Sequence, residues 1–542
     1  MKFKRISLLI LSLGSAIPTV VFAHLLSITA STPFPETVVV SSITKATFTI
    51  TNITSKVTLT AVDQSIFPPG SGLSISSSTC GNPLAPGQSC SITLQLNAPA
   101  RPQTISAELR EWAKPSADGI RFPFTITIIP LSQFIVTPTA GTNGTISPNS
   151  PQTVSSGSNL TFTAIPDAGY MVTQWLLDNI LTQTGGTSYL LSNITSNHSV
   201  NVSFSLIDWT AWTEDSANPI YNPGKAYYPS VIYDAQQFGD NSAFYKMWYE
   251  GNNEIGLAYS NDGINWTSHS TTGLPAEGAH PDVVYDANGF GGGIYNYKMW
   301  YWDPNASLSD ISAIKFSEST DGVNWTTPVS ISQNPSFPLV TGISPGYFYH
   351  LYGPGYVIYN PGAVPVPGQP MTYPYVMFFD TSTEGAGPGT SVEQTGLAYS
   401  TDGLFWTRYG TVPVIIPSGD INQWDGQYIY QPSVIKVQGI YQMFYSGSNG
   451  QPIGSAGNTT AHGIGHASST DGINWTLDSG NPIFYILDGV SWRNNRTYTP
   501  AVIFDPFCSS GNSSNFAKMW FTGANSSDIR AIGYATMPCP SI

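Results

Sequence analysis

A pentapeptide that returns five times constrains this chain more than any other feature. It reads Tyr-Lys-Met-Trp-Tyr at 245–249 and 297–301, Tyr-Val-Met-Phe-Phe at 375–379, Tyr-Gln-Met-Phe-Tyr at 441–445 and Ala-Lys-Met-Trp-Phe at 517–521. Recurrence on this scale means similar structural units in series. Each copy follows an apolar run that starts at a proline (Pro229, Pro281, Pro354, Pro432, Pro500) and precedes a run such as Ile-Gly-Leu-Ala-Tyr-Ser at 255–260. Four units then close on Asp-Gly-x-x-Trp, at 262–266, 321–325, 402–406 and 471–475. Each unit therefore reads strand, strand, strand, turn, strand. The fifth lacks the closing turn, but Trp-Thr-Glu-Asp-Ser-Ala-Asn-Pro-Ile at 212–220 repeats the sequence at 475–483, so the first strand of the region is expected to complete the last unit.

Serial four-stranded units of this kind specify a β-propeller, here five-bladed over 207–542 and closed by 207–221, which protects the sheet edges. Two further β regions precede it. Residues 24–131 alternate Val, Ile, Thr and Leu between Pro-Gly turns, as a β-sandwich does. Residues 132–206 form a smaller β unit, in which Trp175 and Tyr170 are expected to fill the core. The fold class is thus all-β throughout.

Residues 1–23 carry Lys2, Lys4 and Arg5, then an apolar run, then small residues at a cleavage position, which is the pattern of an export signal rather than a lasting membrane span. A secreted or cell-surface protein meets an oxidising environment, so the two local cysteine pairs, Cys80 with Cys90 and Cys508 with Cys539, are expected to be disulfides. With 19 basic against 33 acidic residues the net charge is −14, which excludes a general affinity for nucleic acid.

Several resemblances follow from these residues. The cysteine-flanked Pro-Gly turn at 80–90 resembles that of immunoglobulin-like modules. Gly-Thr-Ile-Ser-Pro at 144–148, the Gly-Tyr…Trp segment at 169–175 and the Val-Asn-Val-Ser-Phe strand at 200–204 resemble the internalin-type bacterial repeat, a spacer module. Ser-x-Asp-Gly-x-x-Trp resembles the sialidase aspartate box with different spacing, and here a tight turn is expected of it, with the Trp packed between blades. The five-blade pattern, the Asn-Pro-Ile segments and Pro-Asp-Val at 281–283 resemble the five-bladed glycosidases: arabinanases, β-xylosidases, invertases and mannoside phosphorylases. That resemblance implies a glycan partner and paired carboxylates on the inner strands. At the arabinanase positions, however, stand Tyr228, Gly353 and Tyr430, and the phosphorylase acid is replaced by His280, so no family catalytic residue carries over.

Two other rings offer candidates on the face where the inner strands begin. Before the inner-strand prolines stand Tyr227, Tyr352, Tyr430 and Tyr498, phenols suited either to stacking on sugar or to plugging the channel. Glu250, Asp303 and Asp380, at the ends of second strands, are the candidate acid and base, with His280 assisting and Glu277 and Asp425 nearby. Oxygen ligands of this kind also suit Ca²⁺. Three functions stay open: a glycosidase with a noncanonical carboxylate set, a glycan-binding adhesin, and a structural surface protein.

Overall fold

The computed structural model describes residues 25–81, 83–114, 119–252, 254–270, 273–275, 277–343, 346–365, 372–383, 391–450, 462–504 and 515–538. The expected export signal at 1–23 and the expected pair Cys508–Cys539 lie outside them. The chain divides into two compact units: one holds the residues up to Phe134 with 153–158 and 193–196, the other the remainder.

The first unit is a sandwich of two four-stranded sheets. Its strands bury every second residue, so that Ala46, Phe48 and Ile50 on Ile43–Asn52 meet Ile92 and Leu94 on Ser89–Asn97. Period-two alternation is what one buried and one solvated face require. Cys80 and Cys90 form a disulfide at the edge of this core. Leu109 on Gln103–Lys114 joins the same core from the other sheet.

The second unit begins with the strands of the small repeat. Gln133–Ala140 runs parallel to His198–Leu206, which pairs antiparallel with Tyr170–Leu177. Trp175 is fully buried, donates its indole N–H to Gly186 O at 3.0 Å and stacks on Tyr189, whereas Tyr170 is half-buried beside it. Met171, Ile207 and Trp209 join one core with Phe444, Met519 and Phe521, so this module and the following domain share buried surface.

That domain is a β-propeller. In chain order the first sheet contains Tyr227–Tyr233, Tyr245–Glu250, Ile255–Ser260 and Thr267–Ser268, and the second Ala279–Tyr285, Tyr297–Trp302, Ile314–Ser319 and Val329–Ser330. The third contains His350–Pro365, Thr372–Ser382, Glu393–Ser400 and Phe405–Arg408, and the fourth Tyr428–Val437, Ile440–Ser448, Gly463–Ser469 and Thr476–Leu477; Glu393 pairs with Tyr428 and joins these two. The fifth contains Arg496–Phe504, Asn515–Ala524 and Arg530–Pro538 and takes Thr213–Glu214 as its fourth strand. Innermost strands touch in cyclic order, the fifth returning to the first.

The closing strand copies its sequence repeat closely. Thr213 and Glu214 pair with Thr536 and Ala535 as Thr476 and Leu477 pair with Ser468 and Ala467. Asn218 exchanges two hydrogen bonds with the Tyr534 backbone, and Asn481 does the same with His466. One sequence motif thus makes one structure at two places, once across the chain ends.

Because each sheet is covered on both faces, the pentapeptide strands are buried almost continuously rather than alternately. Their tryptophans lock neighbouring sheets. Trp248 donates to Gly322 O in the second sheet, Trp300 to Gly403 O in the third and Trp520 to Gly263 O in the first. Those acceptors are the Asp-Gly turns, in which Asp262, Asp321, Asp402 and Asp471 each accept two successive backbone N–H groups. The aspartate motif is therefore a turn and docking device, as its sequence suggests.

Glycines of the Ile-Gly-x-Ala strands follow from the same packing. The ring of Tyr249 lies on Gly256, Phe379 on Gly396 and Tyr445 on Gly465, where an added Cβ would fall 2.2, 2.4 and 2.7 Å from ring atoms. Gly396→Ala should destabilise the propeller by about 1–3 kcal/mol through overpacking. A urea-unfolding midpoint unchanged from wild type would refute this.

Candidate functional site

The inner strands begin with an unusual backbone. Tyr228, His280, Gln431 and Thr499 each precede a proline and each have positive φ, at 53°, 49°, 47° and 53°. For non-glycine residues this left-handed region costs about 1–2 kcal/mol each. A register shift accompanies it in every case, between Tyr227 and Ser230, Ala279 and Asp282, Tyr430 and Ser433, and Tyr498 and Ala501. The side chains of these residues are thereby turned toward the axis.

What holds that conformation is a residue in the last three of the second strand of the preceding sheet. Thr522 Oγ1 accepts the Tyr228 N–H at 3.0 Å, Glu250 Oε2 that of His280 at 3.1 Å, Asp380 Oδ1 that of Gln431 at 2.8 Å and Ser446 Oγ that of Thr499 at 2.7 Å. The third sheet differs. Its register places Pro354 where the others have a donor, and Pro has no N–H. The second sheet correspondingly ends in Trp302, which pairs with Ala279, and offers no acceptor there.

This changes the reading of four residues singled out in the sequence. Asp303 does not stand with Glu250 and Asp380: it lies one residue beyond the register, caps Asn305 and pairs with Lys315 Nζ at 3.5 Å. Tyr352 is likewise displaced, since Gly353 pairs with Asp380 as Tyr227 pairs with Glu250. Glu277 and Asp425 are engaged away from the axis, Glu277 accepting from Asn305 at 2.5 Å and Asp425 from the Tyr445 hydroxyl at 2.6 Å. Among the described residues no group of three His, Cys, Asp or Glu side chains is placed to hold a metal ion.

The remaining candidates do converge. His280 joins them, its ring stacked 3.8 Å from that of Tyr228 and tilted 5.6 Å from that of Trp302. Its Nδ1 is 2.9 Å from Tyr352 O, to which it donates when protonated, and 3.2 Å from Gln431 Nε2, which can donate to it only in the other tautomer. A Cβ on Gly353 would sit 2.9 Å from that nitrogen, which explains glycine there. Nε2 faces Glu250 Oε2 at 3.6 Å. Burial lowers His280 to about 3, so the ring is neutral, and burial raises Glu250 to about 7 despite its hydrogen bond from Tyr227.

Around this pair, Tyr227, Tyr430 and Tyr498 are buried rather than presented to solvent. Tyr430 Oη meets His462 Nδ1 at 2.8 Å, and Tyr498 packs edge-on against Tyr228. Asp380 is driven well above the usual carboxylate range by burial, and Glu393 is raised to about 7 by the same cause. Trp302 Nε1, Asp380 Oδ2 and Tyr498 Oη are buried polar atoms with no hydrogen-bond partner among the described residues. The cluster is consequently aromatic and rich in donors and acceptors, its acids Glu250 and Glu393 raised to about 7 and its border carrying Arg530, 4.5 Å over the Tyr227 ring.

Sequence reasoning missed Gln431, Trp302 and Glu393. The pre-proline position was the available signal, but Gln and Thr there look inert until the positive φ is known. Glu393 sits in a segment whose pairing with Tyr428 joins two sheets, and no local pattern marks it.

Residues 134–208 match the family described as the divergent InlB B-repeat domain. No curated protein sequence matches the chain. Among solved structures, an N-acetylgalactosamine deacetylase from F. plautii in complex with blood group B trisaccharide is 16% identical, with 60% of this chain and 92% of that chain covered at a TM-score of 0.36. A glycosyl hydrolase from Bacteroides ovatus is 13% identical, covering 62% and 99% at 0.37. The native arabinanase of Bacillus subtilis is 13% identical, covering 58% and 95% at 0.35.

Proposed function

We propose that this is an exported, glycan-binding five-bladed propeller whose axial cluster recognises a neutral sugar without hydrolysing it. The observation that carries the reading is the shared task of four residues. Glu250 and Asp380 accept a backbone N–H from the next sheet, and Ser446 and Thr522 make the same bond in the other sheets. A hydroxyl suffices for that work, so the two acids belong to the scaffold. Hydrolysis by two carboxylates further requires environments that push their pKa values apart. Here Glu250, Asp380 and Glu393 all shift upward, chiefly through burial, to which repulsion from Glu393 adds at Asp380.

The character of the cluster supports a sugar. Aromatic rings suit the apolar faces of a pyranose or furanose, and Trp302 Nε1 and Tyr498 Oη suit its hydroxyls. His280 itself is neutral, and the nearby cations Arg530 and Arg496 are already paired with Asp528.

A glycan-array screen of the full chain, with reducing-end release assayed on every hit, tests this. Binding should persist in Glu250→Gln without release by either protein, and Trp302→Phe should weaken it about fivefold or more by removing one hydrogen bond. Release that disappears in Glu250→Gln would establish hydrolysis instead. Silence on every glycan would sink both readings.

A further inference from the structure

Below the axial cluster, the channel between the inner strands holds a cavity of about 650 Å³. Tyr228, Gln431 and Thr499 line the end next to the cluster, and the wall follows the inner strands to Tyr233, Tyr285, Tyr359 and Phe504 at their far ends. That far end lies on the face of the Asp-Gly turns, opposite the beginnings of the inner strands.

The rim is aromatic by repetition. Tyr233 leans on Tyr245 at 4.9 Å, Tyr285 on Tyr297 at 4.8 Å, Tyr359 on Tyr375 at 5.0 Å and Phe504 on Phe516 at 4.8 Å. Each ring is thus fixed from behind by its own sheet, and Tyr233 is 47% exposed. In the fourth sheet the position belongs to Lys436, whose Nζ is 3.2 Å from Tyr441 Oη.

On the wall stands Asp282, only 5% exposed. One oxygen accepts the Val357 N–H at 2.8 Å, and Ser230 and Ser433 make the equivalent bonds to Val283 and Val502. Serine would therefore serve the scaffold here as well. Unlike Glu250 and Asp380, though, Asp282 is one of the residues that line the cavity, which makes it an acidic residue in the wall of an aromatic-rimmed space.

We propose that this cavity is a second binding site, for a neutral polyhydroxylated molecule of one or two sugar rings entering from the rim. Its volume lies within the range of about 300–1,000 Å³ usual for small-molecule sites. Tyr233, Tyr285 and Tyr359 offer stacking faces, and Asp282, Asn360 and Lys436 offer groups for hydroxyls. Lys436 at the rim disfavours a cation, and the net charge of −14 disfavours an anion. The site stands independently of the axial cluster.

The test is isothermal titration of the full chain with arabinose, galactose, glucose, mannose and xylose and with lactose, maltose and sucrose. At least one should bind, with affinity falling about tenfold or more in both Asp282→Ser and Tyr285→Ala and unchanged in Trp302→Phe. Asp282→Ser keeps the bond to Val357, so it reports on the site even if Tyr285→Ala fails to fold. No binding by any of the eight sugars overturns the proposal. So does binding that survives Asp282→Ser, and binding lost in Trp302→Phe alone, which would place the sugar at the axial cluster and leave the reading of that cluster standing.

Discussion

Arg493→Met should destabilise the propeller by about 2–3 kcal/mol, the cost of losing the charge-assisted hydrogen bonds of a buried guanidinium to two partly exposed carboxylates. Arg493 is 1% exposed and sits on the segment before the inner strand of the fifth sheet. Its guanidinium donates to Glu214 Oε1, to Asp488 Oδ2 at 2.6 Å and to Tyr485 O at 2.9 Å. Glu214 lies on the closing strand, which contributes only Thr213 and Glu214 to the ladder with the last strand. So short a ladder needs side-chain anchors, and Arg493 ties it to the fifth sheet across 279 residues of sequence. The check is a double-mutant cycle with Glu214→Gln in urea unfolding followed by tryptophan fluorescence. A coupling below about 0.5 kcal/mol would mean that the ring closes without this pair.

Legibility of the sequence differs sharply between architecture and site, for a physical reason. Each repeated element is specified locally: the pentapeptide by two-sided burial, the glycine by the ring lying on it, the Asp-Gly turn by its own hydrogen bonds. Even ring closure was visible, because the closing strand uses the same Asn-Pro motif as its internal counterpart. The site instead depends on register. Asp303 and Trp302 are adjacent in sequence, and a one-residue difference sends one to the axis and the other to Lys315. Pro354 shifted the third sheet in the same way and removed Tyr352 from its expected place. Whether a carboxylate is spare or engaged is also a tertiary fact, since the N–H held by Glu250 belongs to His280 thirty residues on.

The stability of both units should peak near pH 4–5 and fall on the alkaline side. Glu111 in the sandwich is fully buried, neither of its oxygens has a hydrogen-bond partner among the described residues, and burial with repulsion from Asp63 raises it from 4.5 to about 8. In the propeller, burial raises Asp282 from 3.8 and both Glu250 and Glu393 from 4.5 to about 7. A folded state that holds a proton more tightly than the unfolded chain is favoured below the unfolded pKa, and that advantage disappears as pH rises through the folded value. The window for loss is therefore about pH 4.5 to 8 for Glu111 and about pH 4 to 7 for the propeller acids. On the acid side, Asp262, Asp321 and Asp471 have the opposite sign: hydrogen bonds from their turns lower them from 3.8 to about 2, so their contribution is present above 3.8 and lost as pH falls toward 2. At about 1.4 kcal/mol for each tenfold difference in proton affinity between the folded and unfolded chain, the Glu111 effect alone is on the order of 5 kcal/mol. Glu111→Leu should leave the sandwich transition near its wild-type temperature at pH 4 and raise it well above wild type at pH 8.5, while Asp282→Ser should do the same, more weakly, for the propeller. Calorimetry at both pH values decides this: a Glu111→Leu transition that falls between pH 4 and 8.5 as steeply as wild type would show that the carboxyl is solvated in solution and carries no such burden.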